Sequence, residues 1–268
     1  MTPPDSQLPL GRRGLLAALG AAGLSASARS APAAQRRLPL TAQTTEGPYY
    51  LDLALDRSDI TEGLEGVPLD VRFTVCDTAG RPLPKLRVDL WHCDMQGRYS
   101  GFGEQGDDRA QSFEGKTFLR GSQRTDRAGI VSFGTVYPGW YAGRTTHIHF
   151  KVINGAHAVL TSQFFLPDAL SEFLYTQVSS YRRARLRDTL NSADGIALKA
   201  GGTVLGAVRE ERQRYVATLA LVVDPAAVPV IDRPPRPGGL PPGARPPRPR
   251  ALEGSARIRA MVPPRAEG

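Results

Sequence analysis

The chain has 268 residues, of which 41% are hydrophobic, and this is enough to bury one substantial core. Its formal net charge of +8 comes almost entirely from the two ends, because residues 225–268 carry a net +5 and residues 1–34 a net +2. The part between them is close to neutral. A basic groove for nucleic acid is therefore not supported.

The first 34 residues have the composition of an export signal. Two consecutive arginines, Arg12 and Arg13, precede a short apolar run, and small residues with an A-x-A pattern follow it. The run is too short to span a bilayer. The paired arginines resemble a twin-arginine signal, and an ordinary secretory signal is the alternative. We expect cleavage before residue 36, a periplasmic or secreted mature protein, and no stable membrane insertion after cleavage.

The folded part begins with alternating apolar and polar residues. Leu69, Val71 and Phe73 alternate with Asp70 and Arg72, the period of a half-buried strand. Similar runs predict strands at 69–76, 86–92, 129–136, 146–153, 158–165, 203–208 and 215–223, and a weaker pattern predicts a helix at 167–175. The sequence therefore predicts a mostly β fold, an antiparallel β-sandwich with one or two short helices.

The first two predicted strands bear on the two cysteines. We expect 69–76 and 86–92 to form a hairpin across the turn at residues 80–82. Cys76 and Cys93 would then lie at opposite ends of that hairpin, beyond the reach of a disulfide bond. The sequence predicts two free thiols.

The chain after residue 224 changes composition. Proline, glycine and arginine dominate residues 225–268, and apolar residues are few. Such a segment cannot bury enough surface to fold, so we expect a disordered tail that is dispensable for catalysis. The predicted folded domain is 35–224.

A pair of histidines lies within one predicted strand. His147 and His149 are two residues apart, so both imidazoles face the same side, while Ile148, Phe150 and Val152 point into the core. This is the geometry of a bidentate metal site, and two partly exposed histidines on a sheet face are the alternative.

Tyrosines lie close to the histidine pair in the sequence. Tyr137 and Tyr141 precede it, and Tyr99 follows a predicted turn, whereas no cluster of carboxylates or cysteines lies nearby. A phenolate is a hard, anionic oxygen ligand that suits Fe(III) better than the common divalent metals. Two histidines and two tyrosines therefore indicate ferric iron.

Four segments together resemble the intradiol ring-cleavage dioxygenases, which include catechol 1,2-dioxygenase and protocatechuate 3,4-dioxygenase. They are TEGPYY (45–50), DLWHCDMQGRYS (89–100), FLRGSQRTDRAGIVSFGTVYPGWYAGRTTHIHFKV (118–152) and TSQFF (161–165). The resemblance covers about residues 43–223. It implies that Tyr99 and His147 are equatorial ligands of Fe(III), that Tyr137 and His149 are axial, and that a solvent-derived hydroxide completes the site. Tyr141 is the alternative to Tyr137 and is expected to pack near the pocket.

The resemblance also implies a reaction and further site residues. Catechol chelated to iron would react with O2 and open between its two hydroxylated carbons, giving a cis,cis-muconate-type diacid. Arg144 and Gln163 match the active-site arginine and its glutamine partner, and Pro48 and Tyr49 are expected at the pocket mouth. Cytoplasmic catechol enzymes carry an N-terminal dimerisation domain, but only about ten residues separate the predicted signal from Thr45. Their mode of dimerisation is therefore not carried over, and no oligomeric state is predicted.

Two other classes of protein share parts of these patterns. Noncatalytic transthyretin-like and carboxypeptidase-regulatory-like sandwiches have strands similar to those at 69–92, but they do not need the tyrosine and histidine set. A zinc hydrolase could use His147 and His149, but it would lack a third ligand of the usual type and a carboxylate base.

Overall fold

The computed structural model describes residues 37–227 and 250–262, and the structural statements below concern these residues. The predicted export signal at 1–34 lies outside them. Within the described residues, no helix is long and apolar enough to cross a membrane.

Eight strands form two four-stranded sheets. The strands are β1 (Pro68–Cys76), β2 (Arg87–Trp91), β3 (Arg120–Arg124), β4 (Ile130–Val136), β5 (His147–Asn154), β6 (His157–Phe165), β7 (Ala207–Glu210) and β8 (Tyr215–Val222). Their orders are β4-β1-β8-β7 and β3-β2-β5-β6, and every pair is antiparallel except β1 with β8. The helices are α1 (Asp168–Gln177), α2 (Gly195–Ala200) and α3 (Gly254–Met261), with short 3₁₀ turns at Ser179–Tyr181 and Gly201–Val204. The predicted mostly β sandwich is confirmed.

The core lies between the sheets and follows the alternation in the sequence. Val71 and Phe73 of β1 are fully buried, as are Ile148 and Phe150 of β5. The rings of Phe73 and Phe150 meet across the interface, with centroids 5.0 Å apart. Burying each such side chain contributes roughly 1.5–3 kcal/mol, which holds the face of β5 that bears Ile148 and Phe150 against the other sheet. The opposite face of β5 is left for His147 and His149.

The predicted hairpin of the first two strands is wrong. β1 pairs with β4 and β8, whereas β2 pairs with β3 and β5 in the other sheet. The turn at 80–82 therefore crosses between sheets. Cys76 and Cys93 are buried free thiols, as predicted. They do not lie at opposite ends of one hairpin, because β1 and β2 belong to different sheets.

Two further differences concern weak sequence patterns. β3 was not predicted because its sequence, RGSQR, has no apolar alternation. The strand predicted at 203–208 begins only at Ala207, since Gly201–Val204 forms a 3₁₀ turn.

The prediction that residues 225–268 are disordered throughout is wrong for α3. Arg257 of this helix is buried; its Nη2 donates to Glu172 Oε2 at 2.7 Å, and its Nη1 donates to the carbonyl oxygen of Arg187 at 3.1 Å. Arg187 is fully buried and pairs with Asp168 at 2.7 Å and with Glu172 at 3.4 Å. The low apolar content of this segment predicted disorder. The helix is instead held to α1 by the side chain of Arg257 and not by an apolar face.

Candidate active site

β5 places the two histidines as its alternation requires. His147 and His149 are both buried, and their Nε2 atoms lie 3.1 Å apart. His149 is held by the neighbouring strand β2, where Trp91 is its register partner. The Trp91 and His149 rings stack with centroids 5.0 Å apart and an interplanar angle of 12°. The predicted convergence of the two imidazoles is therefore present.

The surroundings keep both imidazoles neutral. Burial, together with the nearby charge of Arg144, lowers the pKa of His147 well below its usual 6.5. Burial also lowers the pKa of His149 well below this value. His147 Nδ1 lies 2.7 Å from the carbonyl oxygen of Thr145, to which a ring N–H donates. Its Nε2 then carries a lone pair. A neutral imidazole with a free Nε2 is the form that binds metal ions.

Tyr99 reaches the histidines because two segments pack backbone against backbone. A Cβ atom added at Gly97 would lie 2.1 Å from the carbonyl oxygen of Trp140, and one added at Gly139 would lie 2.3 Å from that of Met95. Real Cβ contacts are never this short, so only glycine fits at either position. The segment before Tyr99 and the segment after β4 are thereby held together.

The hydroxyl of Tyr99 is buried without a hydrogen bond of good geometry to any described residue. Its ring stacks on Tyr49 at 4.3 Å and meets the edge of Tyr141 at 5.8 Å. Burial, reinforced by the nearby Tyr141, raises the pKa of Tyr99 well above 10. Leaving a buried hydroxyl unpaired costs about 1–3 kcal/mol, so a partner for this oxygen would be stabilising.

Tyr141, not Tyr137, is the second tyrosine at the histidines. Tyr141 Oη lies 3.0 Å from His147 Nε2. A turn brings it back over the strand, because the backbone N–H of Arg144 donates to the Tyr141 carbonyl oxygen at 3.3 Å. Six residues are therefore enough to separate Tyr141 from a histidine that it contacts.

The prediction that Tyr137 faces the histidines is wrong. Tyr137 is fully buried in the core, and its hydroxyl lies 2.8 Å from Ser171 Oγ on α1. It continues the inward register of Val131 and Phe133 on β4. That alternation is visible in the sequence and would have placed Tyr137 in the core.

The structure brings Arg144 and Gln163 together, as expected. Arg144 Nη2 donates to Gln163 Oε1 at 2.5 Å, and Gln163 Nε2 donates to the carbonyl oxygen of Thr45 at 3.0 Å. Arg144 Nε donates to Asp194 Oδ2 at 2.8 Å. Asp194 was not found from the sequence, because a single acid fifty residues away carries no motif.

The segment 45–50 lies over the site. Pro48 and Tyr49 are half-buried within it, and the carbonyl oxygen of Tyr49 accepts a hydrogen bond from Arg120 Nη1 at 2.7 Å. Glu46 forms a buried ion pair with Lys151, which lies on the same face of β5 as the histidines. This pair was also missed, since neither residue belongs to a recognisable pattern of its own.

The convergent atoms fit a metal ion bound by oxygen and nitrogen. Donor atoms bound to one metal at about 2 Å lie about 3 Å apart, which matches the Tyr141–His147 and His147–His149 separations of 3.0 and 3.1 Å. The hydroxyl of Tyr99, which has no hydrogen-bond partner, would be available as a fourth ligand. Among the described residues, no group of three or more His, Cys, Asp or Glu side chains is arranged to hold a metal ion without the tyrosines. Phenolate with imidazole suits Fe(III).

Comparison with known proteins settles the family. The model of a family described as Dioxygenase matches residues 45–197, more than half of the chain. The chain belongs to the intradiol ring-cleavage dioxygenases. This membership decides against the noncatalytic sandwich, because the family consists of enzymes.

Individual members of the intradiol family resemble the chain over most of the described domain. The intradiol ring-cleavage dioxygenase from Tetranychus urticae is 27% identical with a TM-score of 0.65, covering 71% of this chain and 96% of that one. The dioxygenase domain of a Streptomyces carbohydrate-binding fusion protein is also 27% identical, with a TM-score of 0.52 and coverage of 69% and 99%. Catechol 1,2-dioxygenase from Acinetobacter baylyi is 28% identical over 220 residues, covering 72% of this chain and 67% of that protein. The matches span about half to two thirds of the length of such curated relatives.

Proposed function

We propose that this protein is a ferric intradiol dioxygenase that opens a catechol-type ring between its two hydroxylated carbons with O2. The convergence of the partly exposed Tyr141 with the buried residues Tyr99, His147 and His149 carries this proposal. Fe(III) held by these four residues supplies Lewis acidity and a template for the catechol oxygens. Tyr141 replaces Tyr137 in the ligand set expected from the sequence.

The two tyrosines have different parts in the proposed reaction. Tyr99 is buried and stacked on Tyr49, so it stays in place. Tyr141 is partly exposed, and its hydroxyl lies 3.0 Å from His147 Nε2. As the phenolate that Fe(III) would hold, Tyr141 Oη would be the atom that accepts a proton from an incoming catechol hydroxyl and becomes a neutral phenol.

Arg144 supplies the positive charge of the site. Its positive charge acts to lower the pKa of each of the four residues Tyr99, Tyr141, His147 and His149. A fixed guanidinium stabilises the negative charge that develops on the ring when it is attacked. Gln163 orients Arg144, and the segment 45–50 with Pro48 and Tyr49 limits access of water.

The proposal predicts both product and metal dependence. Incubation with catechol in air is expected to give a cis,cis-muconate, identified by its ultraviolet spectrum and by chromatography. Removing the metal with a chelator is expected to abolish turnover, and Fe(III) but not Zn(II) is expected to restore it. Formation of 2-hydroxymuconic semialdehyde would contradict the proposed regiochemistry. Restoration by zinc alone would favour the hydrolase alternative.

The substrate panel follows from the relatives. They include a chlorocatechol 1,2-dioxygenase from Cupriavidus pinatubonensis and a hydroxyquinol 1,2-dioxygenase from Corynebacterium glutamicum. Catechol, chlorocatechol and hydroxyquinol compared at equal concentration will rank the ring substituents that this site accepts.

We also propose that the protein is exported from the cytoplasm and that its signal segment is removed. This proposal is supported by the paired arginines, the short apolar run and the A-x-A pattern within residues 1–34. We expect the mature protein, recovered from outside the cytoplasm, to begin before or at residue 36 with the signal removed. N-terminal sequencing that still reads Met1 would contradict this.

A further inference from the structure

We propose that Asp194 is the positioning residue that fixes Arg144 for attack on the ring, an inference that rests on the proposed function. Asp194 lies immediately before α2 and its side chain is only 1% exposed. Its two oxygens accept four hydrogen bonds, and they divide these between two different parts of the chain.

One carboxylate oxygen of Asp194, Oδ2, binds residues of the candidate active site. Asp194 Oδ2 accepts from Arg144 Nε at 2.8 Å and from the backbone N–H of Thr145 at 2.9 Å. The carbonyl oxygen of Thr145 in turn accepts from His147 Nδ1 at 2.7 Å. A single carboxylate oxygen thus holds the catalytic guanidinium and the peptide that orients a proposed iron ligand.

The other carboxylate oxygen, Oδ1, binds the first turn of α2. Asp194 Oδ1 accepts from the backbone N–H groups of Ile196 and Ala197 at 2.9 and 3.1 Å, which caps α2. An N-cap alone needs one oxygen, and serine supplies that as well as aspartate does. The second oxygen is what distinguishes aspartate here, since only a carboxylate presents two acceptors that bridge the helix and Arg144.

The guanidinium is consequently held at two of its nitrogens. Arg144 Nε donates a hydrogen bond to Asp194 and Nη2 donates one to Gln163. The third nitrogen, Nη1, makes no hydrogen bond within the described residues. The buried negative charge of Asp194 also compensates the positive charge of Arg144, whose side chain is 17% exposed. Arg144 without Asp194 would keep one neutral partner and could rotate away from the ring.

The deciding variant is Asp194→Ser, which keeps the cap of α2 and removes the acceptor for Arg144. We expect kcat for catechol to fall about 10- to 100-fold with KM little changed, because the guanidinium acts on developing charge and not on substrate binding. Asp194→Glu, which retains the charge, is expected to recover part of kcat. Asp126→Ser is the matched control, since Asp126 also accepts from two backbone amides but lies in the turn between β3 and β4.

A double-mutant cycle separates positioning from general loss of structure. In an Arg144→Ala background, Asp194→Ser is expected to lower kcat by a smaller factor than in the wild type, because the part of the loss that acts through Arg144 is already present and only the part that acts through the Thr145 peptide remains. Equal losses of kcat with and without Arg144, or an unchanged kcat in Asp194→Ser, would overturn the proposal.

A second measurement does not depend on iron or turnover. In the iron-free protein, the Thr145 amide is expected to exchange hydrogen faster in Asp194→Ser than in the wild type or in Asp126→Ser. Unchanged exchange would show that Asp194 does not hold this segment and would also overturn the proposal. If the wild type fails to cleave catechol, the proposed function fails, whereas the exchange result still decides what Asp194 holds.

Discussion

Replacing Tyr141 with phenylalanine is expected to bleach or shift the visible absorption of the iron-loaded protein and to lower kcat by about 10²- to 10⁴-fold. The hydroxyl of Tyr141 lies 3.0 Å from His147 Nε2, where it can both bind iron and take the proton of a catechol hydroxyl. Phenylalanine removes the oxygen and leaves the ring packing. The measurements are the phenolate-to-iron charge-transfer band and steady-state turnover of catechol.

Tyr137→Phe is the matched control, because it removes a hydroxyl from a tyrosine only four residues away. Its hydroxyl bonds Ser171, which also donates to the Pro167 carbonyl oxygen, so Ser171 keeps a partner after the substitution. We expect a loss of about 1 kcal/mol in the free energy of unfolding and an unchanged spectrum. Bleaching by Tyr137→Phe alone would restore the ligand set first expected from the sequence.

Arg187→Met is expected to lower the free energy of unfolding by about 3–5 kcal/mol, the usual cost of removing one partner from a buried ion pair. Arg187 is completely buried between Asp168 and Glu172, and methionine would leave the Asp168 carboxylate without its charge partner. Urea unfolding followed by circular dichroism measures the loss.

Arg185→Met gives the comparison for that loss within the same segment. Arg185 pairs with Asp107 and Asp188, but its side chain is 30% exposed. Water screens such a pair, so we expect a change below about 1 kcal/mol. Equal losses for the two arginines would mean that burial does not set the strength of these ion pairs.

The strands with clear alternation were predictable, and their partners were not. β1 and β5 follow from Val71, Phe73, Ile148 and Phe150, whose spacing is local. Whether β1 joins β2 or β8 depends on side chains far apart in the sequence, which a local pattern does not encode. A turn signal at 80–82 therefore suggested a hairpin where the chain changes sheets.

The candidate site divides in the same way. His147 and His149 were placed correctly because a strand fixes the directions of residues two apart. Tyr141 was misjudged because its position depends on a tight turn, and motif similarity favoured the tyrosine before a proline. The role of Asp194 could not be predicted from a local pattern, since Asp194 and Arg144 are fifty residues apart and come into contact only in the folded chain.

The parallel pairing of β1 with β8 has a consequence for the order of folding. Leu69 has its register partner at Tyr215, near the end of the described domain, whereas the sheet that carries the histidines is complete by Phe165. Contacts between residues so far apart in the chain close slowly. During synthesis, the sheet bearing the site can assemble first, and β1 must keep its long unpaired edge until β8 emerges from the ribosome. Until β8, the last strand of the described residues, has emerged, this edge of β1 can pair with another chain, which favours aggregation.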